Sequence, residues 1–434
     1  MATGPIAAAG VGVSLPPAGM ERLLMADIFD KCVRFQQESR IVKKQDRALA
    51  ESTLYRPGPL NNAGPRMDAD GRQILQFSTN DYLGLASHPK VIAAAAEIVE
   101  RYGVSVPMGA RPLTGTIDLH IQLERELADF KQTEDALVFA NGAHTMMGAI
   151  AALAGPRDLI ILDRYAHASL VCGAKISGAR VRFFRHNDVE DLEAILLETP
   201  RSQARMVVVD GVYSMQGDIA PLPELCDLCE KHGARLIVDD AHGTGVCGDN
   251  GRGTAEMLRC ENRIDVHLGT CSKALATMGG FAAADAAVIY YLKFKAPTIL
   301  FTKAMPACIT AATLEALRIL RVAHDRRKTL WRNKRMLQNG LREAGFDIGG
   351  TQTPITPIGN NGSDAVYLCD GLYHKYNIWA SAVLYPAVPI GTSILRVIPT
   401  ANHTDRDIDL LLSALCELKA GQRPEPKSEV TSAQ

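Results

Sequence analysis

The sequence predicts an α/β fold built on a mostly parallel sheet, with a smaller α+β domain after it. Three observations carry that expectation. Short apolar or β-branched runs alternate with helix-like segments from about residue 73 onward, the pattern of successive βα units. Several of those runs end in a polar or small residue, at Asp163, Asp210, Asp239 and Thr270, and in such sheets ligands gather just beyond the carboxyl ends of the strands. After about residue 310 the alternation gives way to long basic helices and a few short strands.

Taken in order, residues 1–24 are expected to form a flexible tail. MATGPIAAAGVGVSLPPAGM has no basic start before its apolar part, so it makes a poor signal peptide, and Pro and Gly break it well short of a membrane span. An N-terminal helix and arm occupies 25–75: IFDKCVRFQQESRIVKKQDRALA reads as a polar amphipathic helix, a loop with Pro57, Pro59, Gly64 and Pro65 follows, and a short strand lies near Gln73–Ser78. The large domain is expected over 76–310. Its helices include PKVIAAAAEIVERYG and DLHIQLERELADFK, and its strands DALVFA, DLIILD, ARVRFFRH, ARMVVVDG, ARLIVDDAHG and DVHLGTCS. In the smaller domain, 311–420, TAATLEALRILRVAHDRRKTLWRNKRMLQNGLREAGF reads as one long helix or two. DAVYLCD, IWASAVLY and SILRVIPT read as strands, and DRDIDLLLSALCELKAG as a closing helix. Residues 421–434 read as a disordered tail.

Composition narrows the function classes. The 434 residues carry 47 Lys and Arg against 48 Asp and Glu, a formal net charge of -1. Such a chain has no general attraction to nucleic acid or acidic membranes, and no transmembrane segment is expected. Ten cysteines are too sparse for a disulfide framework and suit a reducing, cytoplasmic setting. Cys226 and Cys229 form the single CxxC. With no second pair nearby they read as half-buried helix cysteines rather than a zinc or redox pair, and no metal is expected.

The chemistry concentrates at the strand ends. Lys273 stands in LGTCSKALATMGGFAA among small and apolar residues, where a lysine is rarely buried without a partner. Alone it would read as a solvated helix start, just as DDAHG alone could be a capped helix. Together, Ser214, Asp239, His242, Thr270, Ser272 and Lys273 follow successive strands about thirty residues apart. An acid, a histidine, a hydroxyl pair and an amine match the needs of pyridoxal 5'-phosphate. Its aldehyde wants an amine, its pyridine nitrogen a carboxylate, and its phosphate hydroxyls and backbone N–H groups near a helix start.

The segments NDYLGL (80–85), YAHASL (165–170), RHNDVEDL (185–192), GVYSMQGDIAPL (211–222), VDDAHGTGVCGDNGRG (238–253), GTCSKALATMGG (269–280), ILFTKAMP (299–306) and ILRVIPTANHT (394–404) lie in family order over about residues 25–420. The chain thereby resembles the α-oxoamine synthases, class II aminotransferase-like enzymes of fold type I. The resemblance implies a seven-stranded, mostly parallel sheet, pyridoxal phosphate as cofactor, and decarboxylating condensation of an amino acid with an acyl thioester. By the same resemblance Lys273 is the Schiff-base lysine and proton carrier, and Asp239 pairs with the pyridinium nitrogen. His242 hydrogen-bonds the phenolic oxygen, His167 stacks on the ring, and Ser214 lies near the phenolic oxygen. Thr270 and Ser272 face the phosphate and the backbone at Gly142-Ala143 closes its site. Thr302 reaches the phosphate from a second subunit, which implies a homodimer with shared active sites. Arg396 grips the amino acid carboxylate bidentately, and Asn80 touches substrate.

Two departures bear on substrate choice. Relatives usually carry an aromatic residue after the glycine where this chain has Ala143 and then His144, and a Gly/Ser-rich segment where it reads SVPMGARPL, with Pro107 and Met108. DIFDKCVRF and ILFTKAMP look most like bacterial serine palmitoyltransferase-type members. The resemblance therefore points to L-serine and a long-chain acyl thioester, on CoA or acyl carrier protein, giving a 3-keto sphingoid base. Glycine with acetyl-CoA, alanine with a pimeloyl thioester, and a cysteate or polyketide variant remain open, as do an aminotransferase and a non-catalytic partner subunit.

Overall fold

A computed structural model describes residues 28–33, 63–69, 71–359, 365–384, 387–388 and 392–421. The chain divides into two compact units, Met1–Pro57 and Gly58–Gln434. In the first, residues 28–33 make a helical turn in which Val33 N donates to Phe29 O at 3.2 Å. The rest of the expected N-terminal helix, the tail at 1–24 and residues 422–434 lie outside the described residues.

The second unit opens with a hairpin, β1 (Arg66–Ala69) and β2 (Arg72–Gln76), paired antiparallel with Arg66 opposite Leu75. The expected strand near Gln73–Ser78 corresponds to β2, and β1 adds a partner to it. The Asp-Gly pair between two alternating runs is a hairpin turn signal, and Gly71 has φ 70° there. Helices α1 (Pro89–Tyr102) and α2 (Asp118–Lys131) follow where the sequence placed them.

Six strands of the main sheet coincide with the expected runs: β3 (Asp135–Phe139), β4 (Leu159–Asp163), β5 (Arg180–Phe184), β6 (Arg205–Asp210), β7 (Arg235–Asp239) and β8 (Val266–Thr270). Between them run α3 (Gly142–Leu153), α4 (Ala168–Ser177), α5 (Val189–Glu198) and α6 (Leu222–His232). The seventh strand, β9 (Gly280–Ala284), was not expected, because GFAAA carries a weak strand signal. It lies antiparallel between β3 and β8 and completes the order β3-β9-β8-β7-β6-β4-β5.

The sheet is buried on both faces, which explains its near-continuous apolar strands. Met206 and Val208 of β6 pack with Leu162, Ile150 and Leu170 on the α3/α4 side, while Val207 and Val209 pack with Leu192 and Leu225 on the α5/α6 side. Each fully buried aliphatic side chain is worth about 1.5–3 kcal/mol, so the strand register is strongly fixed. The last residue of each strand inherits its face from that alternation. Asp210 and Asp239, like Val208 and Ile237, turn toward the α3/α4 side, as Thr270 does with Leu268; Asp163 and Asp240 turn the other way.

After β9 come α7 (Ala286–Lys295), α8 (Ala307–Arg321) and α9 (His324–Glu343), so the basic segment is two helices. DAVYLCD is not a strand. Residues 365–370 begin α10 (Ala365–Tyr376), whose buried Ala365, Leu368, Cys369, Leu372 and Tyr373 recur at helical spacing. The β-branched and aromatic residues of DAVYLCD favour a strand, but positions 365, 368 and 369 follow the helical spacing that Leu372 and Tyr373 continue. Strands β10 (Thr356–Ile358), β12 (Ser381–Val383) and β13 (Ile394–Val397) form an antiparallel sheet in the order β10-β13-β12, and β11 (Ile378–Trp379) joins β2. They share a core with Leu337 of α9, Leu372 of α10 and Leu411 of α11 (Asp405–Gly421). No helix among the described residues is long and apolar enough to cross a membrane.

Candidate active site

Lys273 follows β8 by three residues and stands half-buried at the carboxyl end of the sheet. Burial lowers its pKa to about 8, opposed by the Asp239 and Asp210 carboxylates and reinforced by Arg396. Asp239 is buried at the end of β7, its Oδ1 accepting from Ala241 N at 3.0 Å. Burial pushes its pKa up to about 6, with the Lys273 ammonium pulling the other way. Asp240 is committed elsewhere: its Oδ1 accepts from Thr254 Oγ1 at 2.8 Å and its Oδ2 lies 3.4 Å from Lys131 Nζ. The alternation that favoured Asp239 over Asp240 is therefore what the side chains show.

His242 is buried, and burial together with Lys273 and Arg396 drives its pKa well down, so it is neutral. Its Nδ1 lies 2.7 Å from the Tyr82 hydroxyl. His167 is the N-cap of α4, its Nδ1 2.6 Å from Ser169 Oγ. Burial and then Lys273 lower its pKa as well. Ser214 is half-buried and shares with His167 a cleft of about 580 Å³ that Tyr165, Val171, Met215 and Val388 also line.

Thr270 and Ser272 form a hydroxyl pair, Oγ1 to Oγ at 2.8 Å, and Thr270 Oγ1 donates to Gly279 O at 3.0 Å. A Cβ on Gly142 would stand 2.6 Å from Thr270 Oγ1, so only glycine lets the first turn of α3 approach β8 this closely. The next residue, Ala143, is exposed. His144 is bound into the cap: its N–H donates to Asn141 Oδ1 at 2.8 Å and its Nδ1 accepts from Asn141 Nδ2 at 3.1 Å. Pro107 is buried and Met108 is 75% exposed.

Arg396, on β13, donates from Nη2 to Asn80 Oδ1 at 3.2 Å, while its buried Nε has no acceptor among the described residues. Burial lowers its pKa, and Tyr82 opposes that. Thr302 is not brought into this set: it follows the short helix Pro297–Leu300 and precedes the Ala110–Lys303 bridge, and no hydrogen bond among the described residues joins it to Lys273 or Thr270. Sequence reasoning missed two members. Tyr82 was inside the quoted NDYLGL, and Asp210 ends a strand but gave no sign of being the register partner of Asp239. Its buried carboxyl accepts from His167 N at 2.8 Å, and burial plus Asp239 raise its pKa well above the carboxylate range.

The set fits pyridoxal phosphate. An amine and a carboxylate lie close enough to perturb one another, a neutral histidine stands beside them, and two hydroxyls meet a helix N-terminus at a glycine that a Cβ would close. Fold and site together define a fold type I pyridoxal-phosphate-dependent transferase. The chain matches the aminotransferase class I and II family over residues 72–415 and belongs to its α-oxoamine synthase branch. It is an acyltransferase that uses pyridoxal phosphate. It is 40% identical over 349 residues, 80% of this chain and 89% of the relative, to 8-amino-7-oxononanoate synthase of Exiguobacterium sibiricum. It is 38% identical over 340 residues, 78% of this chain and 85% of the relative, to serine palmitoyltransferase of Sphingobacterium spiritivorum. Among solved structures, serine palmitoyltransferase from S. paucimobilis with a bound PLP–myriocin aldimine superposes with a TM-score of 0.84 at 32% identity, covering 91% of this chain and 99% of that one.

Proposed function

We propose that the protein condenses an α-amino acid with an acyl thioester, with loss of carbon dioxide, to give an α-amino ketone. The observation that carries this reading is the convergence of Lys273, Asp239 and His242 with a carboxylate-seeking arginine, Arg396. When bound, pyridoxal phosphate supplies an electron sink for negative charge at the amino acid Cα. Lys273 Nζ, with its pKa near 8, is neutral often enough at working pH to take the Cα proton and return it. Asp239 would hold positive charge on the ring nitrogen, and neutral His242, fixed by Tyr82, would hydrogen-bond the phenolic oxygen. His167, which shares a cleft with Ser214, would hold the ring and help exclude water from it. Thr270, Ser272 and the backbone at Gly142-Ala143 bind the phosphate, and Arg396 with Asn80 orients the substrate carboxylate.

For the substrates, alanine with a pimeloyl thioester is the better-supported pair. The first three curated relatives are 8-amino-7-oxononanoate synthases, at 38–40% identity. This displaces the serine and long-chain acyl pair from first place. Serine keeps a specific argument: serine palmitoyltransferase structures superpose at a TM-score of 0.84, against 0.69 for the 8-amino-7-oxononanoate synthase from Francisella tularensis. Product mass from alanine, serine and glycine, each with pimeloyl-CoA and palmitoyl-CoA, decides between them. Keto-acid exchange without carbon dioxide release would instead mean an aminotransferase, and no turnover a non-catalytic subunit.

The same reading calls for a homodimer in which Thr302 completes the partner's phosphate site. Ser272 is exposed in a single chain, and Phe301 and Met108, on either side of the Ala110–Lys303 bridge, are 86% and 75% exposed. Light scattering on the purified protein tests this directly.

A further inference from the structure

His186 lies on the opposite face of the sheet from Asp210 and Asp239, and no step above uses it. Both of its ring nitrogens meet carboxylates: Nδ1 is 3.0 Å from Asp163 Oδ1 and Nε2 is 2.7 Å from Asp218 Oδ2. Two acceptors require both nitrogens to donate, so the ring is an imidazolium between two anions. Burial opposes that charge, but the hydrogen bonds to Asp163 and Asp218 outweigh it and raise the pKa to about 9. The ring is also packed between Tyr165, 4.5 Å away, and Tyr213, 4.4 Å away and nearly perpendicular.

The two carboxylates belong to different loops, and each loop carries a residue of the site. Asp163 fixes the approach to His167, since its Oδ1 accepts from Tyr165 N at 2.7 Å and its backbone O accepts from Ala166 N at 3.0 Å. Asp218 closes the turn that carries Ser214: its backbone O accepts from Tyr213 N at 3.0 Å, and Gly217 N donates to Tyr213 O at 2.8 Å. Asn187 strengthens the junction, its N–H reaching Asp163 Oδ2 at 2.8 Å and its Nδ2 reaching Asp218 Oδ2 at 3.1 Å.

We propose that His186 is a positioning residue, an ionic clamp that locks the His167 loop to the Ser214 loop and so fixes the wall against which pyridoxal phosphate is held. The clamp touches neither cofactor nor substrate, and it rests on the cofactor reading given above. Removing it leaves Asp163 and Asp218 without that counter-charge and only Asn187 to bridge them, which loosens one loop against the other.

The test uses full-length His186→Asn and Asp218→Asn, each loaded with pyridoxal phosphate. Both should keep the wild-type far-ultraviolet spectrum and lose roughly tenfold in cofactor affinity, the scale on which partners behind a ligand shell act. The visible circular dichroism of the bound cofactor should change, because the stacking ring moves against it. A purely structural part would lower the melting temperature and leave that visible band in place, which overturns the proposal. Asp218→Asn keeps an acceptor for the ring and decides the matter if His186→Asn does not fold. A wild-type protein that takes up no pyridoxal phosphate overturns the cofactor reading itself. Wild-type uptake with unchanged variants overturns the clamp alone.

Discussion

Asp239 and Asp240 are consecutive in the chain and point to opposite faces of the sheet, one toward Lys273 and the other into a buried pair with Lys131. Neutralising them should therefore fail in different ways. Asp240→Asn removes the nearest counter-charge of the buried Lys131 ammonium and should cost about 3–5 kcal/mol of stability, read by chemical denaturation. Asp239→Asn should melt like wild type but lose turnover on the order of 100-fold, as when a preorganised electrostatic partner is removed. Equal stability losses from both would contradict the assignment.

Lys273 should react as an unusually neutral amine. An ordinary lysine titrates near 10.4, whereas burial sets this one at about 8. Reloading of the cofactor-free protein with pyridoxal phosphate should rise with pH and level off above an apparent pKa of about 8. Lys273→Ala should lose the yellow colour and yield no pyridoxyl peptide after borohydride. An adduct on another lysine would end the case for position 273.

The phosphate pocket should be intolerant of one methyl group. A Cβ at Gly142 falls 2.6 Å from Thr270 Oγ1, an overpacking worth about 1–3 kcal/mol. Gly142→Ala should weaken pyridoxal phosphate more than unphosphorylated pyridoxal in parallel titrations. Equal losses for the two ligands would mean that the phosphate does not sit there.

The His186 imidazolium makes stability depend on pH with a definite sign. Its folded pKa, about 9, is above the unfolded value near 6.5. The stabilisation is complete below about 6.5 and disappears as pH rises through about 9. Thermal melts should fall across that window in wild type and flatten in His186→Asn. A parallel decline in both proteins would remove His186 as its source.

Much of this was legible in the sequence because strand ends in a parallel sheet carry both a length and an alternation. The apolar runs gave six strands, and side-chain alternation chose Asp239 over Asp240. What stayed hidden depended on partners rather than on local pattern. GFAAA is a strand because β3 and β8 flank it, and Ala365–Tyr376 is a helix whose apolar face is continued by Leu372 and Tyr373, beyond the DAVYLCD run. Asp210 joined the site only once β6 and β7 were in register. The role proposed for Thr302 would draw on a second chain, and no local pattern around ILFTK carries that information.

Arg396 holds a guanidinium nitrogen that burial has cut off from water and that no described neighbour accepts from. An unanswered donor of this kind costs roughly 1–3 kcal/mol, so a carboxylate that accepts from Arg396 is rewarded by that margin. Simple amines of the same shape would be turned away by the same margin. Because the proposed reaction expels that carboxylate as carbon dioxide, the ketone it leaves behind has lost its own tether. The step that makes the product would thus also loosen it.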